Sequence, residues 1–399
     1  MKSNSLLVLT VGTGTAGKHS SLWDGLRKTI ELIAPRKFWL IPSTSPESIV
    51  IANYLRSEFP DSFAMWQENL PYHLIENPDS LSQCRHVVRE VIAAARQELK
   101  KNERLIVNPT SGTKQMSAAA TVAALDENIG ELVFTIGDRA DGVVKTGTER
   151  LETFDATEYF AEQAFTNAKA MYEIGSFSSA AAILAPFAQF QNESSFCRCL
   201  HEWERNNYSE ATSIIKSSSH PARTNMLHHL DLLMDGSRAG APSPAIVADL
   251  NRSAKHLQRI GELEWSIMRA SKALEMGLRL ELYNVLQISE PYRPSDFDSI
   301  SKQSTNLRKR IQANTKDNHV RLGFRDLVDV LLELQSPIAI DYQQSAIAKN
   351  CVQVRNSLAH HLCTISKIEA FRCVGAVSDL LSHLSLPIPY SFPKTLEKR

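Results

Sequence analysis

This chain of 399 residues has no charge imbalance, few cysteines and no long apolar run, and each shortfall excludes a class of function. Its 44 basic residues are matched by 44 acidic ones. A protein that coats nucleic acid through its phosphates carries a basic excess, so a sequence-blind coating role is excluded, though a local basic channel is not. The six cysteines are scattered. Cys197 and Cys199 are too close for a C-x-x-C pair and no second pair completes a zinc spacing, so they read as reduced, mostly buried thiols of a cytoplasmic protein. No apolar run reaches the ~20 residues of a membrane span. The opening MKSNSLLVLTVG leads straight into a strand pattern, without a signal peptide. No cluster of carboxylates marks a two-metal nuclease, and no metal is expected.

What is present divides the chain. Residues 1–155 alternate short apolar runs with helical stretches. Strands are expected at Leu6–Val11, Phe38–Ile41, Tyr72–Ile75, Arg104–Val107 and Leu132–Ile136, with an edge hairpin over Gly142–Phe154. Helices are expected between them, at Leu22–Ala34, Pro46–Phe59, Leu81–Leu99 and Lys114–Leu125. That alternation predicts a doubly wound, mostly parallel α/β sheet of Rossmann-like type. After Ala156 the strand signal fades and the remainder reads as all-α. Residues 156–240 form a helical connecting region. GSRAGAPSP, 236–244, is the best linker, and 241–399 form a second helical block.

Two loops sit where an open α/β sheet binds its ligands, off the carboxyl ends of strands. The first is VGTGTAGKHS, 11–20. It spells G-x-G-x-x-G, but the next strand ends in Pro42-Ser43-Thr44, with no acid to hold the ribose of a dinucleotide. It also spells most of a Walker A loop, but His19 stands where Ser or Thr should meet magnesium. A cradle for another phosphate-rich ligand and a plain strand-to-helix turn both remain. The second loop is NPTSGTKQM, 108–116. Both loops consist of small residues and hydroxyls that let backbone N–H groups approach phosphate oxygens, and Lys114 adds a point charge.

Near the end lies KNCVQVRNSLAHHL, 349–362. Arg355 and His360 form R-x4-H, and Asn356 lies i,i+4 from His360. RNA carries its own nucleophile, the 2′-OH. A histidine can move its proton and an arginine can hold the scissile phosphate. Alone the pattern is weak: with 12 histidines in the chain, about one such pair arises by chance, and Arg223–His228 fits the same template. His361 adds a competing R-x5-H. The run Arg308-Lys309-Arg310 reads as a solvated basic face, and His228-His229 lacks partners for a metal.

The combination is more specific than its parts. A Rossmann-like domain with the VGTGT and NPTSGTKQMSAAA loops, followed by an all-helical domain with RNSLAH, resembles the type III CRISPR-associated CARF–HEPN ribonucleases along the domain order of the whole chain. The resemblance implies a homodimer whose CARF domains (1–155) bind cyclic tetra- or hexa-adenylate. That binding activates a metal-independent, single-strand RNA cleavage by HEPN domains (241–399), without a cofactor. It places Arg355 and His360 in catalysis, with Asn356 in support. Gly12, Thr13, Gly14, Thr15, Asn108, Thr110, Ser111, Gly112, Thr113 and Lys114 would contact the ring. Thr13 and Ser111 are candidates for cutting the ring itself. The competing expectations are a non-enzymatic nucleotide sensor that signals through its helical domain, and a toxin of HEPN type with an unrelated ligand.

Overall fold

The computed structural model describes residues 4–13, 19–140, 143–144, 147–238, 241–302, 304–361 and 364–398. Contacts divide the chain into two compact units, Met1–Glu162 and Gln163–Arg399. The first unit holds β1 (Ser5–Val11), α1 (His19–Ile33), β2 (Lys37–Pro42), α2 (Pro46–Glu58), α3 (Leu81–Gln97), β3 (Arg104–Asn108), α4 (Lys114–Asp126), β4 (Glu131–Ile136), β5 (Arg139–Ala140), β6 (Val143–Val144) and β7 (Arg150–Asp155). Five strands form one sheet in the order β2-β1-β3-β4-β7. The first four run parallel and β7 is antiparallel to β4. β1 is buried throughout, as a parallel strand covered on both faces must be. Leu7, Leu9 and Val11 face Leu26, Ile30, Ile51 and Leu55 of α1 and α2. Leu6 and Val8 face the other way, into the cluster of Val88, Ile92, Ala119 and Ala123 on α3 and α4.

Two expectations are corrected here. Tyr72–Ile75 is not a strand of the sheet; only Ile75 bridges, pairing with Ser43. Ile75 N donates to Pro42 O at 3.0 Å, and Phe38 N and Ala64 N exchange bonds with Ser62 O and Phe38 O. The open edge of β2 is thus covered by short irregular pieces rather than by another ladder. The expected hairpin over Gly142–Phe154 is instead β7 returning along β4, with β5 and β6 forming a separate small ribbon.

The boundary between the units falls inside α5 (Thr157–Glu173). Next come α6 (Phe177–Leu184), α7 (Gln191–Glu204), α8 (Tyr208–Lys216), α9 (Arg223–Arg238), α10 (Pro244–Ile260) and α11 (Leu263–Leu286). The chain continues through α12 (Asp298–Ser301), α13 (Thr305–Ala313), a ribbon of β8 (Thr315–Lys316) and β9 (His319–Val320), α14 (Phe324–Glu333), α15 (Pro337–Gln344), α16 (Ala346–His360) and α17 (Lys367–Leu381). Gly261, at φ +91°, separates α10 from α11. A single core joins α10, α11 and α14 to α17, centred on residues such as Leu274, Leu278, Leu331, Ala348 and Val377.

After α17 an irregular strap packs back on the helices. Phe392 lies 3.9 Å beneath the Arg252 guanidinium, and Tyr390 stacks on Trp203 at 5.4 Å. Tyr172 Oη donates to Pro393 O at 3.0 Å. Arg252 is buried yet compensated, bonding Asp249 and Glu204 at 2.8 Å each. Beside it, His256 sits between the rings of Phe177 and Phe392. Its desolvation, together with the Arg252 and Arg259 charges and against the pull of Glu204, depresses its pKa from 6.5 to about 4. The unfolded chain therefore takes up this proton more readily than the folded one. The corresponding stability is complete above pH 6.5 and is lost as pH falls through about 4. Urea unfolding should show a midpoint that falls between pH 7 and pH 4.5, with a shallower fall in His256→Asn. Phe392→Ala should remove about 3–5 kcal/mol at pH 7, measured the same way.

Candidate functional site

The strand order creates the first site. β1 leads to β2 on one side while β3 lies on its other side, so the order switches between β1 and β3, the position at whose carboxyl ends open α/β sheets bind their ligands. Register sets what meets there. Leu9 pairs with Asn108, so Gly12 and Ser111 each lie three residues beyond a matched pair. Gly12 N donates to Ser111 Oγ at 2.9 Å, and Thr10 Oγ1 donates to Ser111 O. The backbones then nearly touch: a Cβ on Gly12 would stand 2.6 Å from Gly112 Cα. Gly112 has φ +120°, which side chains rarely adopt. Both glycines are thus required by geometry.

The other predicted residues of the second loop divide by role. Asn108 is 1% exposed. Its Oδ1 accepts from Thr110 N at 2.9 Å and its Nδ2 donates to Thr135 Oγ1 at 3.0 Å. Thr110 Oγ1 accepts from Thr135 N at 2.8 Å. Thr113 caps α4, accepting from Met116 N at 3.1 Å and donating to Pro78 O at 2.6 Å. Asn108, Thr110, Ser111 and Thr113 therefore shape the loop, whereas Gly112 and Lys114 are exposed at its tip. Thr13 is half-buried, and Gly14 and Thr15 lie outside the described residues.

Several residues of this site are absent from the sequence-based set. Ser48 Oγ donates to Val11 O at 2.7 Å and accepts from Ser43 N at 3.0 Å, tying the ends of β1 and β2. Thr29 Oγ1 and Thr135 Oγ1 bond at 2.7 Å behind the loops. A usable signal is the distribution of acids. None occurs from Met1 to Trp23, from Arg104 to Leu125, or from Tyr342 to Ile368, in a chain with 44 of them. Both loops and the RNSLAH helix lie in these runs.

The second unit carries the other site on α16. Ser345 caps its start, accepting from Ala348 N at 3.1 Å. Its inner face is Ala348 and Cys351, both 0% exposed. Around an ideal helix Arg355 lies about 20° from Ala348, while His360 points about 140° away from Arg355. Arg355 is accordingly half-buried, and His360 and Asn356 are exposed. Arg355 Nη1 donates to Asn356 Oδ1 at 2.9 Å, which steers the guanidinium toward the outer face. His361 ends the helix in an extended conformation, its N donating to Ser357 O at 2.7 Å. The arrangement offers an acid–base group and a phosphate-binding cation on one short element, diverging within one chain. The competing pair, Arg223 and His228, stands in the first turns of α9 and lacks a following Asn.

Among the described residues, no group of three or more His, Cys, Asp or Glu is placed to hold a metal ion, and no helix is long and apolar enough to cross a membrane. The five described cysteines are free and buried, and burial raises Cys197 and Cys199 to about 12.

No protein-family model matches the chain, and no curated protein does. A solved structure does: Enterococcus italicus Csm6 bound to cyclic hexa-2′-fluoro-hexa-dAMP. It is 11% identical, with a TM-score of 0.64 over 94% of this chain and 93% of that one. The chain therefore has the fold of that structure, a Rossmann-like sheet domain followed by helices.

Ser111→Ala would leave the buried Gly12 N–H without its acceptor. A loss of about 1–3 kcal/mol is expected in urea unfolding, and a larger one for Gly12→Ala, whose Cβ meets backbone rather than a yielding side chain.

Proposed function

We propose that this protein is a cyclic-oligoadenylate-activated, metal-independent endoribonuclease of type III CRISPR defence. The observation that carries the reading is the switch point between β1 and β3, where two acid-free loops meet, in a chain with the fold of a structure solved with a cyclic oligoadenylate analogue. Gly12, Thr13 and Gly112 bring backbone close to the ring's phosphates, and Gly14 and Thr15 are the further contacts expected of the first loop. Lys114, exposed at the N-terminus of α4, supplies the charge. Asn108, Thr110, Ser111 and Thr113 hold that cradle in shape. In a homodimer each chain offers the same loops to a two-fold ring.

Cleavage falls to α16. His360 moves the proton of the 2′-OH and Arg355 stabilises charge on the scissile phosphate, positioned by Asn356. Because Arg355 and His360 diverge in one chain, a working site draws on two copies of α16. The ring then activates by binding one arrangement of the dimer more tightly than the other. The same divergence is what favours the second reading, a non-enzymatic sensor whose helices contact a partner.

The deciding assay combines purified protein, a fluorogenic single-stranded RNA and EDTA, with cyclic tetra- or hexa-adenylate in separate reactions. Cleavage is expected with one ring only. His360→Ala and Arg355→Ala should each lower it at least about 1,000-fold while leaving ring affinity unchanged. Lys114→Ala should weaken ring binding about 10-fold and leave cleavage at saturating ring intact. Ring binding without cleavage would establish the sensor instead.

A further inference from the structure

The outer face of α16 carries more than His360. Around an ideal helix Lys349, Gln353, Asn356, Ser357 and His360 fall within an arc of about 100°, with Gln353 only about 20° from His360. From Lys349 to His360 the stripe runs ~16 Å along the axis, several times the ~3.4 Å per nucleotide of one stacked strand. Gln353, Asn356, Ser357 and His360 are exposed. Two of these side chains are engaged nearby: Asn356 by Arg355, and Lys349 Nζ by Gln343 O at 2.9 Å, which leaves the ammonium two further donors. The Gln353 amide and the Ser357 hydroxyl make no hydrogen bond among the described residues.

Charge separates this stripe from an ordinary solvated helix face. No acid lies between Tyr342 and Ile368. Of the carboxylates that bracket the stretch, Asp341 meets His383 at 2.7 Å, while Glu369 accepts from Asn350 Nδ2 of α16 itself at 3.2 Å, at the edge of the stripe. From Lys349 to His360 the arc holds no apolar side chain, which suits a polyanion better than a protein surface.

We infer that this stripe is an RNA-positioning track, with Gln353 and Ser357 as positioning residues and Lys349 as a phosphate contact; the inference rests on the ribonuclease reading above. An amide and a hydroxyl each donate and accept, which suits the 2′-OH and base edges of an unpaired strand. Lys349 neutralises one phosphate without reading sequence. The strand would thereby be led along α16 to His360 at its end.

The test is fluorescence anisotropy of a single-stranded RNA on His360→Ala protein, which leaves the RNA whole, with the activating ring present. Added Gln353→Ala or Ser357→Ala should weaken RNA affinity about 3- to 10-fold. Lys349→Gln should reduce the slope of log affinity against log salt by about 0.7. With His360 intact, the same substitutions should raise KM by matching factors and leave kcat within about twofold. Ring affinity and Tm should not move, because these side chains are outside the core; Gln353→Glu keeps the shape and should weaken RNA binding further. Unchanged RNA affinity and KM in both Gln353→Ala and Ser357→Ala would overturn the track. Failure of the parent reading looks different: RNA hydrolysis absent with every ring, or equal in wild type and His360→Ala, while the affinity series still decides whether RNA lies on this face.

Discussion

The first unit depends on the parallel ladder between β1 and β3. Its register brings two strand ends out side by side, and the loops that follow have no freedom but to meet. They meet without side chains between them, Gly12 against Gly112, and one hydroxyl, Ser111 Oγ, closes the contact. Glycine on both sides is what permits the approach. Everything else at the switch point serves that junction. Asn108 and Thr135 brace the second loop from beneath, Ser48 braces the first, and Thr113 starts α4 where Lys114 reaches solvent.

The second unit solves a different problem. Its chemistry-bearing helix must be held firmly while one face stays open. α16 does this by burying Ala348 and Cys351 against α11 and α17 and leaving the opposite arc bare. Helical phase then decides the rest. A five-residue spacing cannot put Arg355 and His360 on one line, so the arginine rides at the edge of the core and the histidine at the surface. The strap of Tyr390, Phe392 and Pro393 consolidates α5, α7 and α10 with aromatic stacking around a buried, fully charged Arg252. Removing one member of such a cluster exposes the desolvation of the others.

The units around VGTG and NPTSG are legible because each is a β-branched or leucine run, a glycine-hydroxyl loop and an amphipathic helix in immediate succession. The helix carrying RNSLAH is legible for the same local reason. Tyr72–Ile75 misleads because its composition is that of a strand, while a neighbouring edge takes only isolated hydrogen bonds from it. Within the helical block from 241 on, Gly261 turns the chain between two helices, a break that composition alone does not mark. Ser48, Thr29 and Thr135 pass unnoticed because a hydroxyl at a strand or helix end is common, and only its partner makes it special.

By itself the sequence determined the alternation of strands and helices, the change to an all-helical second part, the two small-residue loops, and the acid-free segments that hold both candidate sites. These are local or compositional properties, read from neighbours a few residues apart. The strand order, and with it the switch point between β1 and β3, was decided only by tertiary structure, because pairing joins residues 99 positions apart, as in Leu9 and Asn108. The same is true of which face of α16 is buried. Periodicity shows that Arg355 and His360 diverge, but only packing against α11 and α17 shows which of them faces the water.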